Sequence, residues 1–133
     1  MLGYVVMPDH VHLAVRSEDS RQVARFLQQF LAISSSRIAT LAERATDRED
    51  GAAAAWLADF KGSTRKGRVA RVWKERGRAF PVSRHDGLVQ KLNYIHANPV
   101  RSQLVSRAED WEFSSARWYA EEKGPLEIDA LDD

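Results

Sequence analysis

At 133 residues the chain is long enough for one domain with a buried core and too short for two of ordinary size. Apolar residues make up 44% and charged residues 29%, an ordinary globular profile, and the net charge is only +1. The absence of cysteine excludes a disulfide framework, a zinc–cysteine site and thiol chemistry. No apolar stretch reaches membrane-spanning length and no basic leader precedes the apolar opening, so a cytoplasmic protein without a membrane partner is expected.

"GYVVM" (3–7) reads as a strand, interrupted by Pro8-Asp9, and "HVHLAV" (10–15) continues extended to Arg16. Ser17 or Ser20 offers an N-cap. Val23, Phe26, Leu27, Phe30 and Leu31 then follow the i, i+3, i+4, i+7, i+8 stripe of an amphipathic helix that runs through Ile38 and Leu41 to about Ala45. "TDREDG" breaks it. "AAAAWLADF" reads as a short helix with Trp56 and Phe60 on one face, and "RVARVW" and "AFPV" read as two short strands or one hairpin. Ser83 and Asp86 resemble a capping box that opens a helix, "RHDGLVQKLNYIHAN", which Pro99 ends. "WEFSSARWY" reads as a last short helix capped by Ser114.

Charge is segregated along the chain. Residues 61–78 hold eight Lys/Arg and one Glu, the footprint of a polyanion site, with a solvated loop as the plainer alternative. Residues 121–133 form an acidic tail expected to be disordered, which leaves a single domain over 1–120.

Two stretches carry chemistry. Side chains two apart on a strand share a face, so His10 and His12 form a pair of convergent imidazoles suited to a divalent metal, while Val11 points the other way into a core. Two surface histidines on an edge strand are the plainer reading. On the second helix, Leu88, Leu92 and Ile95 make the buried stripe. Tyr94 and Asn98 lie off it, side by side at i, i+4, with Lys91 on the same side. That face shows a phenol able to act as a nucleophile, an amide oxygen able to ligate a hard cation, and an ammonium. His96 falls roughly opposite Tyr94 and reads as structural; His85, in the first turn, is a weak phosphate contact.

These pieces in this order resemble a known family. "YVVMPDHVHLAV" is similar to the HUH motif (His, hydrophobic, His) of single-tyrosine transposases of bacterial insertion sequences, the IS200-like group. "VWKERGRAFPV", "YIHANPVRSQLV" and "DWEFSSARWY" resemble the closing half of the REP-associated tyrosine transposases, with residues 45–68 the least alike. The resemblance implies an α+β fold, a ferredoxin-like α/β sandwich whose antiparallel sheet carries the HUH motif and packs against the tyrosine helix. Family members carry a strand and a helix ahead of the histidine strand. Met1 stands nine residues before His10, so either the reading is truncated or those elements are absent, and if they are absent the sheet is expected to lack that strand and to expose an edge. Asp9 replaces the usual Asn with little effect expected, and Gln103 stands where Gly is frequent, so the turn after Pro99 is expected to differ.

By the same resemblance Tyr94 matches the nucleophile, and His10, His12 and Asn98 match the ligands of a Mg²⁺ or Mn²⁺ ion. The activity implied is nicking and rejoining of single-stranded or hairpin DNA through a 5′-phosphotyrosine, and homodimers occur among relatives. Arg65, Lys66, Arg68, Arg71 and Lys74 of the basic block, with Lys91, are the DNA contacts expected. Trp73 is read as core before base stacking. The alternatives are a catalytically inactive DNA-binding protein and an interaction domain whose histidines are incidental.

Overall fold

Val5 pairs with His12 in an antiparallel hairpin, and that register sets the face on which every functional side chain stands. The computed structural model describes residues 1–47, 51, 52, 55, 72–74, 77–129 and 131. The fold is mixed α+β, and the chain divides into two compact units: Met1–Glu18 with Phe80–Asp133, and Asp19–Ala79.

In the first unit, β1 (Gly3–Val6) and β2 (Val11–Ala14) are joined by a turn over Pro8-Asp9, closed by the Met7 N–H on the His10 carbonyl at 2.8 Å. Residues directly opposite in an antiparallel pair share a face. Val5, which is fully buried, therefore stands on the same face as His12, and Val11 stands with the exposed Val6. This corrects the expectation that Val11 enters the core. The core lies on the histidine side, and the imidazoles occupy its open end.

Helix α2 (His85–His96) covers that face. Leu92 and Ile95 join Val5 and Met7 in the core, with Leu88, Ala14 and Trp111 packed around them. Burying the Val5 side chain alone contributes about 2 kcal/mol. Gly3 is required by the close approach of α2, since a Cβ there would stand 2.5 Å from Leu92 Cδ2 and 3.2 Å from Ser115 Oγ.

The other edge of β1 is not exposed, contrary to expectation. Val6 N–H donates to the Phe113 carbonyl (2.8 Å), Ser115 N–H donates to the Tyr4 carbonyl (3.0 Å), and Val5 forms a bridge with Ser114. Residues 113–115 thus do locally what a neighbouring strand would do.

Several boundaries differ from the sequence reading. The N-cap position of α2 is Arg84, with no side-chain cap bond, so Ser83 does not form a capping box; Asp86 still places a negative charge in the positive first turn. Pro99 does not end the helical run. After Ala97 the chain makes one more turn, α3 (Asn98–Arg101), with the proline in its first turn, where a missing N–H costs nothing. That turn closes with Leu104 N–H on the Pro99 carbonyl and Gln103 N–H on the Val100 carbonyl, a Schellman motif. Gln103 sits at its left-handed position with φ 57°, where a Cβ is strained.

A 3₁₀ turn (Ala108–Asp110) and α4 (Ala116–Glu121) complete the unit. Ser115 holds the N-cap position of α4, while Ser114 Oγ accepts the first helical N–H, that of Ala116, at 3.1 Å. In the acidic stretch, Ile128 is buried, Asp129 N–H donates to the Met1 carbonyl, and the Asp129 carboxylate pairs with the Met1 amine.

In the second unit, α1 (Ser20–Asp47) is capped by Asp19, whose Oδ1 accepts the Arg21 N–H at 2.8 Å, rather than by Ser17 or Ser20. Trp73 packs on Phe30 at 5.7 Å between ring centroids and donates its indole N–H to Ser34 Oγ at 2.8 Å, the packing role expected of it. Of the helix expected over 52–60, Ala52 and Ala55 are helical and the rest, with Trp56 and Phe60, lie outside the described residues. Val72, Trp73 and residues 79–82 form no strand; Phe80 is 74% exposed and Pro81 has no N–H to give a ladder. Among the described residues no helix is long and apolar enough to cross a membrane.

Candidate active site at the hairpin end

The register that sets Val5 against α2 brings the next residues of the same face beside the outer side of that helix. The His10 and His12 rings stand 5.0 Å apart, edge to face, and the Tyr94 ring stands 6.3 Å from His12. Three side chains from 84 residues of sequence thus converge, with the Tyr94 phenol half exposed to solvent.

Each ring is held differently. His10 Nδ1 lies 2.6 Å from Asp9 Oδ1. A carboxylate only accepts, so Nδ1 carries the hydrogen, and in the neutral form of the ring the lone pair is on Nε2. The bond and charge of His10 hold the Asp9 carboxyl below its ordinary range. A carboxylate behind a histidine in this way orients the ring and strengthens it as a metal ligand. Asp9, discounted in the sequence, is therefore part of the site.

The His12 ring makes no hydrogen bond to a described residue. Burial first, then the neighbouring His10 and the Arg101 charge, hold its pKa below the ordinary histidine value, which favours the neutral ring with one nitrogen lone pair. Among the described residues no cluster of three His, Cys, Asp or Glu is present. The two imidazoles could hold a divalent cation, and among the described residues a third protein ligand would be of another residue type.

Asn98 is buried, with one hydrogen bond at each end of its amide. Its Nδ2 donates to the Ile95 carbonyl at 3.1 Å, and its Oδ1 accepts from Arg101 Nη2 at 2.5 Å. The two partners leave the amide a single orientation. The oxygen that the resemblance assigns to the metal is occupied by a guanidinium.

Arg101 is the residue that sequence reasoning missed. Its guanidinium carbon stands 4.3 Å from the Tyr94 ring centroid, and Lys91 Nζ stands 5.9 Å from the same ring. Tyr94, Asn98 and Arg101 are spaced i, i+4, i+7, the signal that would have found it. Reading Pro99 as the helix end hid that spacing.

The expected DNA contacts divide. Lys91 and Lys74 are exposed, Lys74 in the second unit; Arg65, Lys66, Arg68 and Arg71 lie outside the described residues. His85 is exposed at the start of α2. His96 is buried away from the site, with Nε2 on Ser115 Oγ at 2.8 Å and its ring 5.5 Å from Tyr119. A shallow groove of about 450 Å³ on that neighbouring face is lined by His96, Val100, Ala116 and Tyr119 and does not include Tyr94. No protein-family model, curated protein or solved structure matches the chain.

Proposed function

We propose that the chain is a metal-dependent enzyme that nicks and rejoins single-stranded or hairpin DNA, of the kind represented by the REP-associated tyrosine transposases, with Tyr94 as nucleophile. The observation that carries this reading is the convergence of two imidazoles and a half-exposed phenol at one end of the hairpin. A helix packed on the histidine face of an antiparallel sheet agrees with the ferredoxin-like sandwich of that family.

His10 and His12 would hold Mg²⁺ or Mn²⁺, His10 through Nε2 with Asp9 behind it, and Asn98 Oδ1 is the third ligand the resemblance names. The bound ion supplies Lewis acidity at a phosphate oxygen and neutralises developing charge. The Tyr94 Oη–P bond forms as the bond from phosphorus to the 3′-oxygen breaks. The proton lost by the phenol balances the one gained by the departing 3′-oxygen, and a 5′-phosphotyrosine remains. Attack by another 3′-hydroxyl reverses the step. The phosphodiester energy is conserved, so joining requires no nucleotide cofactor. Arg101 and Lys91 supply positive charge beside the phenol, and the basic block over 61–78 is the proposed backbone contact.

The test is covalent trapping. Protein is incubated with Mn²⁺ and 3′-end-labelled single-stranded hairpin DNAs taken from the repeats beside its gene, then run on a denaturing gel. A slow-migrating labelled band that requires metal and disappears in Tyr94→Phe and His12→Ala is the expected result. Tight binding without a band would overturn the catalytic reading in favour of a DNA-binding protein, the second reading. The Arg101 guanidinium on Asn98 Oδ1 favours that second reading.

A further inference from the structure

Arg101 carries more than its share of the site. It is exposed, yet its guanidinium lies over the ring of the proposed nucleophile and binds the amide oxygen four residues from it. A guanidinium has five N–H donors in a planar fork. One is given to Asn98 Oδ1, and the others meet no acceptor among the described residues. A staple needs no such surplus. Unused donors, positive charge and exposure beside a phenol form the chemistry that recognises a phosphodiester, and a fork matches two phosphate oxygens at once.

The contact with Asn98 has a second effect. While it holds, a full positive charge stands against the Asn98 oxygen, on the lone pair it uses, and disfavours a cation there. We propose that Arg101 is the phosphate-binding residue of the tyrosine centre: on arrival of a single-stranded DNA phosphodiester beside Tyr94, its guanidinium moves from Asn98 to the phosphate and leaves the Asn98 oxygen free for the cation. Substrate and metal then assemble together, and the site without DNA binds metal weakly. This rests on the reading of the hairpin end as a DNA-cleaving centre.

Two binding measurements test it without requiring cleavage. In the first, the affinity for a fluorescein-labelled single-stranded hairpin is followed against NaCl concentration in the absence of metal. Each phosphate neutralised adds about 0.7 to the log–log slope for a single strand. Arg101→Ala is expected to flatten the slope by about that amount and Arg101→Lys to restore it. Arg117→Ala, which removes an exposed arginine of α4 paired with Glu121, leaves the slope unchanged. In the second, Mn²⁺ binding is followed by electron paramagnetic resonance without DNA. Arg101→Ala is expected to tighten Mn²⁺ several-fold, and adding Asn98→Ala is expected to abolish most of that gain. An unchanged slope, or a gain that survives Asn98→Ala, overturns the proposal and leaves Arg101 a structural staple.

The two readings fail separately. A phosphotyrosine band together with an unchanged slope refutes the role of Arg101 alone. A flattened slope without any band in wild type refutes cleavage alone. A wild-type protein that does not bind the strand refutes both.

Discussion

His12 and His96 both flank the packed face of β1, and their surroundings separate an imidazole with uncommitted ring nitrogens from a committed one. Both are disfavoured as imidazolium by burial. His96 is committed: Ser115 Oγ accepts the Tyr4 N–H at 2.8 Å, donates to the Tyr4 carbonyl, and so accepts from His96 Nε2 as well. That hydroxyl joins α2, β1 and the segment before α4 at one point. The His12 ring has neighbours but no hydrogen-bond partner among the described residues, and beside it stand a half-exposed phenol and a second imidazole. Burial alone therefore does not single out the histidine proposed to bind metal. What distinguishes His12 is that its nitrogen atoms are not already spent.

The largest effect that sharpens this contrast is an exchange of phenotypes. His12→Ala is expected to lower the rate of metal-dependent adduct formation by on the order of 100-fold or more while leaving urea stability nearly unchanged. His96→Ala is expected to cost about 2 kcal/mol in the same urea titration, because it leaves a cavity and strips a buried hydroxyl of a donor. If His12→Ala proves the more destabilising of the two, the assignment of roles is inverted.

Gly3→Ala probes the seam between the two regions. The new methyl meets Leu92 Cδ2, so a loss of about 1–3 kcal/mol is expected, read from the denaturation midpoint. A neutral result would mean that α2 can move off β1.

Acidification is the next test. The unfolded chain protonates its histidines near 6.5, whereas burial depresses the folded value for His96. The unfolded state therefore binds more protons below 6.5. Stability from this group is fully present above that pH and is lost as pH falls toward the lower folded value. The thermal midpoint of wild type is expected to drop on going from pH 7 to pH 5.5, and His96→Gln to show a shallower drop. An equal drop in both would place the titration elsewhere.

The smallest effect concerns Gln103. Its left-handed conformation costs about 1 kcal/mol that glycine does not incur, so Gln103→Gly is expected to raise the thermal midpoint by a few degrees. No change, or a loss, would show the Schellman turn to be unstrained.

Much of this layout is legible in the sequence because it is local. Period-two and 3.6-residue patterns locate β1, β2, α1 and α2, and the i, i+4 spacing places Tyr94 beside Asn98. Face assignment fails at Val11 because it depends on the register with Val5, a pairing that neither strand encodes by itself. Arg101 is hidden because the proline pattern reads as a stop, although in the first turn of a helix a proline lacks nothing. Ser115 leaves no local trace at all: its partners His96 and Tyr4 are 19 and 111 residues away. The same holds for the pairing of residues 113–115 with the edge of β1, which no hydrophobic pattern announces.

That last pairing has a consequence for how the chain comes into being. β1 is made about a hundred residues before the segment that covers its outer edge. At roughly 5–20 residues per second a ribosome takes on the order of 5–20 seconds to travel between them. Throughout that interval the nascent chain can fold its hairpin but not shield it. One side of β1 offers bare amides and carbonyls to any neighbouring extended chain, and heavy overexpression, which crowds such half-made copies together, is the condition under which that exposed edge would drive aggregation.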